Sequence, residues 1–178
     1  CCVCKENFTI ARPMQKACSL DCAVAEVERK KERAAKVERR ETVKALHKLK
    51  TRSELVKEAQ VAFNAYIRAR DAELPCVSCG RHHQGQWHAG HYLSTGARPD
   101  LRFDERNCHK QCQPCNTHLH GNLLMYRVEL IKRIGQVGVD RLEGPAKSVK
   151  LTREELIELK QKYRKKTREM QSETANNG

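Results

Sequence analysis

The chain has 178 residues, a net charge of +13, 32% charged residues and only 4% aromatic ones. With a mean hydropathy of −0.77, it lacks the apolar material for one large core, and no run is long enough for a membrane span or a signal-peptide core. That excludes membrane and large single-core classes and leaves a small basic protein in need of a staple, for which its ten cysteines are the source.

Residue 1 is Cys rather than Met, so a short preceding leader is expected. Residues 1–25 read as a zinc knuckle. Cys1-x-x-Cys4 is followed by Cys18-Ser-Leu-Asp-Cys22, and two short pairs of this kind supply the four thiolates of a tetrahedral site. Cys2 competes with Cys1 for the first position. Residues 26–52 carry eleven Lys/Arg against five Glu, with no Gly or Pro. They read as a basic helical arm, either a solvated linker or a surface that lies along phosphates.

Residues 53–145 form the expected core with its flanking helices. Ser53 is an N-cap, and Leu55, Val56, Ala59, Ala62, Phe63, Tyr66 and Ile67 recur at helical spacing until Pro75 stops the run. Phe63 and Tyr66 read as core residues. Leu123 to Ile134 is a helix capped by Asn122 and ended by Gly135, with one short turn over Val137–Leu142. Residues 146–178 hold a last helix opened by the capping box Thr152-Arg-Glu-Glu155, with Leu156, Leu159 and Tyr163 on one face. Ser172 to Gly178 reads as a frayed, disordered tail.

Cys76-Val-Ser-Cys79 and Cys112-Gln-Pro-Cys115 are two Cys-x-x-Cys units, the pattern of a closed structural Zn2+ site. With no export signal in view, a reducing intracellular setting favours metal over disulfides. The positive charge points to a polyanionic partner, DNA or RNA, rather than a membrane.

Between and after the two pairs lie Trp87-His-Ala-Gly-His91-Tyr92, Leu101-Arg-Phe-Asp-Glu-Arg-Asn107 and Cys115-Asn116-Thr-His118. This set resembles the HNH endonuclease family. The resemblance implies a fold that is α+β and mostly helical: a zinc-stapled ββα-metal (HNH) core with flanking helices, behind an N-terminal Cys4 zinc knuckle. It also implies catalytic roles for His91, Asn107 and Asn116. His91 would be the general base and Asn107 the residue that braces its loop. Asn116 would be an oxygen ligand for a catalytic Mg2+ or Mn2+. Many members place Asp directly before the base, where this chain has Gly90. His88, three residues before His91, is the expected second ligand, and an imidazole there favours Mn2+. Arg98, Arg102 and His118 are expected substrate contacts. His82 and His83 read as solvated, and Cys2 and Cys108 as spare thiols.

A closer resemblance runs through Cys18-Ser-Leu-Asp-Cys22, Ala59 to Asp71, Leu74-Pro-Cys-Val-Ser-Cys-Gly80, Ala89-Gly-His-Tyr92, Leu101 to Asn107, His109-Lys-Gln-Cys112 and Tyr126 to Ile131. These segments are similar to the NinG/Rap family of lambdoid phage recombination endonucleases. What that similarity implies is a nuclease selective for branched DNA such as Holliday junctions and D-loops, acting inside the bacterial host, with a homodimer suited to the symmetry of a junction. The competing readings are a generic HNH endonuclease on duplex DNA and a non-catalytic zinc module that binds nucleic acid.

Overall fold

The structure, a computed structural model, describes residues 1–176. Its contacts divide the chain into two units, residues 1–50 and the rest from residue 51 on. Four α-helices and one two-stranded sheet make it mostly helical. No helix among the described residues is long and apolar enough to cross a membrane.

In the first unit, helix α1 (Leu20–Leu49) starts inside the cysteine-rich segment, because the Ser19 side chain accepts the Cys22 amide at 3.2 Å. The knuckle therefore runs directly into the arm. Val24, Val27, Val37, Val43, Leu46 and Leu49 are all exposed, in keeping with a helix whose polar surround buries little.

In the second unit, helix α2 (Arg52–Arg70) is capped by Thr51 and not by Ser53. Glu54 decides the start: its carboxylate accepts the Thr51 amide at 2.6 Å while Thr51 Oγ1 accepts the Glu54 amide at 3.3 Å. Ser53 has no acidic residue three positions on with which to close such a box. The helix also ends at Arg70, ahead of Pro75. Asp71 leaves it so that its carboxylate can take the Arg70 guanidinium at 2.7 and 2.9 Å and the Lys110 amide at 2.9 Å.

Strands β1 (Trp87–His91) and β2 (Cys108–Cys112) pair antiparallel, with His88 opposite Gln111, Gly90 opposite His109 and His91 opposite Cys108. A five-residue turn of π-helix, Pro114–His118, leads to helix α3 (Leu123–Glu143). Asn122 precedes α3 in a left-handed conformation (φ 44°) and makes no side-chain cap. Instead its amide points at Cys115 Sγ, 3.8 Å away. Gly135, at φ 73° and ψ 162°, breaks α3 as expected, but the helix resumes and runs to Glu143. The break lets Val139 and Leu142 pack into the same cluster as Tyr126, Leu130, Val77 and Tyr92.

Helix α4 (Arg153–Asn176) opens on the Thr152/Glu155 box, with bonds of 2.7 and 3.2 Å. It lies along α2 in the same unit rather than forming a separate segment, and it buries Leu156 and Tyr163. The expected frayed tail from Ser172 is helical through Asn176; residues 177–178 lie outside the described residues.

The sheet sits between two cores. One is Phe63, Tyr66 and Ile67 of α2 with Cys108 and Tyr163, and with Ala89 packed against it. The other is the Tyr126 cluster on α3. Phe63 is fully buried and stands edge-on to both Phe103 and Tyr163, at centroid distances of 5.7 and 4.9 Å. Phe63→Ala should lower unfolding free energy by about 3–5 kcal/mol, read from denaturant midpoints. A loss under about 1 kcal/mol would mean that α2 is not docked through this ring.

Candidate functional site

Each predicted cysteine quartet is assembled. The sulfurs of Cys76, Cys79, Cys112 and Cys115 lie within 4.8 Å of one another, as do those of Cys1, Cys4, Cys18 and Cys22. Cys1 rather than Cys2 joins the N-terminal group. Four thiolates 2.3 Å from a tetrahedral zinc stand about 3.8 Å apart. The observed separations of 3.6 Å for Cys4–Cys18 and Cys18–Cys22, and 4.0 Å for Cys79–Cys112, suit that ion.

Local hydrogen bonds favour the thiolate at Cys76, whereas burial pushes the Cys112 and Cys115 thiols up. Burial alone would raise the Cys76 thiol, but the amides of Cys112, Cys79 and Ser78 bring it below its ordinary value. The Cys112 amide stands 3.4 Å from Cys76 Sγ. His83 is not solvated as expected: its Nε2 lies 3.2 Å from Cys79 Sγ. Both quartets can therefore hold zinc.

Strand alternation sorts the remaining histidines. Ala89 and His91 face α2, while His88, Gly90 and Tyr92 face the π-helical turn and α3. On the second face, His88 Nδ1 meets Asn116 Nδ2 at 2.8 Å. An amide nitrogen can only donate, so this His88 nitrogen carries the lone pair. Asn116 Oδ1 turns toward Gly90, where an added Cβ would stand 3.0 Å from it and would collide with Gln111 Oε1. A side chain at position 90 has no room, and the expected partners His88 and Asn116 are brought together beside that glycine.

His91 is placed apart from them. Its ring lies 6.0 Å from the Phe63 ring, with Nε2 2.9 Å from the Arg102 carbonyl and Nδ1 3.6 Å from Cys108 Sγ. A carbonyl only accepts, so Nε2 bears the proton and Nδ1 the lone pair. Burial lowers the His91 pKa against the opposing effect of the Arg102 carbonyl, which keeps the ring neutral. Among the described residues no hydrogen bond links His91 with His88 or Asn116. Cys108, read as a spare thiol, is fully buried and lies against His91.

Asn107 is fully buried and braces the segment after β1. Its Oδ1 accepts the Leu93 amide at 2.9 Å, and its Nδ2 donates to the carbonyls of Leu93 and Leu101 at 2.9 and 3.3 Å.

The two arginines expected at phosphate point inward. Arg98 is held by Asp100 at 2.9 Å and donates to the carbonyls of Leu142 and Gly144 at 2.7 and 2.9 Å. Arg102 donates to Thr95 O at 3.2 Å and Gln60 Oε1 at 3.4 Å. Arg98 so spends most of its donors on the fold, and Arg102 two of its five. His118 is exposed at the end of the π-helical turn.

Sequence reasoning missed a buried polar layer beneath the hairpin. Tyr126 donates to the Gly90 carbonyl at 2.9 Å and lies 3.3 Å from His109 Nδ1. Because the phenol's one proton goes to Gly90, His109 Nδ1 must be the donor. Gln111 is fully buried and donates to Ser78 Oγ and the Gly121 carbonyl, both at 2.6 Å. The one usable signal was the strand register, which sets Gln111 opposite His88; a Gln between a Lys and a Cys carries none by itself.

Burial, with the Arg70 charge nearby, pushes His109 down to about 3, whereas an unfolded histidine titrates near 6.5. As pH falls the unfolded chain takes this proton first. Stability is full above pH ~6.5 and declines by up to ~1.4 kcal/mol per pH unit down to about pH 3. His109→Asn should flatten the slope of unfolding free energy against pH between about 5 and 6.5; a slope identical to wild type would place the proton uptake elsewhere.

A family model described as Bacteriophage Lambda NinG protein matches residues 1–173. The chain is 53% identical over 124 residues to Protein ninG of Escherichia phage 933W, covering 70% of this chain and 62% of that protein. Against Protein ninG of Escherichia phage lambda it is 52% identical over 124 residues, covering 70% and 61%. Against Protein ninG of Salmonella phage P22 it is 52% identical over 122 residues, covering 68% and 60%. The chain thus spans about three-fifths of the length of the curated relatives it matches. No solved structure matches it. A family match over nearly every residue, with relatives at about half identity, makes this chain a member of the NinG family of lambdoid phage proteins.

Proposed function

We propose that this chain is a metal-dependent DNA endonuclease of the HNH type, selective for branched recombination intermediates such as Holliday junctions and D-loops, with two structural Zn2+ ions. The observation that carries the reading is the His88–Asn116 pair beside Gly90, at 2.8 Å, on a hairpin whose ends are drawn together by a cysteine quartet. His88 and Asn116 would hold the catalytic cation. An imidazole and an amide oxygen without a carboxylate suit Mn2+ better than Mg2+. When bound, such an ion supplies positive charge to the scissile phosphate and the leaving oxygen.

The chain's own groups divide the remaining work. His91 is a neutral imidazole with its proton fixed on Nε2 by the Arg102 carbonyl, so Nδ1 is the nitrogen able to take a proton from water. The Cys108 thiol, 3.6 Å from Nδ1, must give way for water to reach it there. Asn107 ties Leu93 to Leu101 and so braces the chain next to His91. Exposed Lys and Arg of α1 supply phosphate neutralisation in a protein of net charge +13. A second basic unit suits a substrate with more than one duplex arm. Two copies acting together would match the two-fold symmetry of a junction. Ten free cysteines fit the reducing interior of a phage host.

One observation favours a second reading, nucleic-acid binding without cleavage: His91 lies on the face of β1 opposite His88 and Asn116.

The test is cleavage of a labelled four-way junction beside a matched linear duplex, in Mg2+ and in Mn2+. Wild type should cut the junction preferentially and faster in Mn2+. His91→Ala should lose about 100-fold or more in rate with binding retained, and His88→Ala should lose Mn2+-dependent cleavage. Equal cutting of both substrates would point to a generic duplex nuclease, and tight binding without cutting in either metal to the binding module.

Metal analysis of the full chain should return two zinc ions. Cys4→Ser should remove one and leave the melting of the second unit in place. Cys76→Ser should remove the other and abolish that melting transition, because structural zinc binding is part of the folding free energy. A zinc-free Cys76→Ser protein that still melts cooperatively would overturn the staple.

A further inference from the structure

We infer that Gln111 is a third ligand for the divalent cation, its Oε1 joining Asn116 Oδ1 and His88; this rests on the cation site proposed above. Gln111 is fully buried, and its Oε1 has no hydrogen-bond partner among the described residues. Buried carbonyl oxygens are rarely left so, because desolvation is not repaid. The amide cannot be turned round to relieve this. Nε2 donates to the Gly121 carbonyl and to Ser78 Oγ, both at 2.6 Å, and an oxygen in its place would face the Gly121 carbonyl lone pairs. The fold therefore holds Oε1 aimed at Gly90.

That direction leads to the proposed ligands. Gln111 is the cross-strand partner of His88, so the two side chains share one face of the sheet. The point where a Gly90 Cβ would stand collides with Gln111 Oε1 and lies 3.0 Å from Asn116 Oδ1. Both amide oxygens thus border the same point beside Gly90. Asn116 Nδ2 rests on the His88 Nδ1 lone pair, a contact that cation binding would replace. Three neutral donors, two amide oxygens and one imidazole nitrogen, select a borderline dication such as Mn2+.

The experiment is a Mn2+ titration of the zinc-loaded full chain without DNA, in which loss of the free-ion paramagnetic resonance signal reports binding. Wild type should bind one Mn2+ that His88→Ala abolishes. Gln111→Met should weaken it by about ten-fold or more. The melting transition of Gln111→Met, measured alongside, should stay cooperative with two zinc ions bound, so that weaker Mn2+ binding reports the lost oxygen. If wild type holds no Mn2+ that depends on His88, the cation site itself fails, and Gln111 with it. If wild type binds but Gln111→Met binds equally well, Gln111 is only a structural staple and the His88–Asn116 site stands.

Discussion

Two strands of five residues each bury too little surface to hold a hairpin together in water, and in this chain every site residue hangs from that hairpin. Its register is set from outside. Cys76 and Cys79 precede β1, while Cys112 closes β2 and Cys115 lies one turn on. Drawing these sulfurs together puts Asn116, the residue after the last of them, over the His88 face of the sheet. The other face is pressed onto Phe63 and Tyr66 of α2. A small basic chain with few aromatics thereby gets a rigid two-sided scaffold without a large core.

Below the hairpin a chain of polar contacts starts at Asp71. Burial would raise the Asp71 carboxyl, yet Arg70 and the Lys110 amide hold it below the usual carboxylate range. Arg70 goes on to the carbonyls of Glu105 and Cys108, at 2.8 and 2.9 Å. One buried ion pair so links the end of α2 to β2 and to the segment before it. Such a pair contributes little net stability against a well-packed apolar replacement, and its better-attested use is to fix one register among several. Tyr126 repeats the device from α3, donating to the Gly90 carbonyl. The proposed cation site is supported on both faces by groups that tolerate no sliding of one strand past the other.

Much of this was legible in the residues. The two cysteine quartets follow from spacing, the buried stripe of α2 from helical periodicity, and the start of α4 from Thr152 and Glu155. Those signals are local, carried by residues within a turn or two of each other, and each quartet is read from two such short pairs. What could not be read depends on partners far along the chain. Asp71 ends α2 early because Lys110 offers an amide 39 residues away. Arg98, which looks like a phosphate contact, is spent on carbonyls more than forty residues on. His91 and His88 look equivalent in a line of text, yet the two-residue period of a strand sends them to opposite faces. Gln111 gains meaning only once the pairing register sets it opposite His88.

The crowding at Gly90 has a consequence for how sequences of this kind can drift. Position 90 and position 111 compete for one volume, so neither can change freely while the other stays. An aspartate at 90 meets Gln111 as a steric barrier. A smaller residue at 111 opens the space but surrenders the donor that ties Ser78 to Gly121. Replacing both residues therefore passes through single changes that each disturb the packing at this point. A lineage that has settled on glycine here is held there by epistasis, and the two positions should be found to change as a pair.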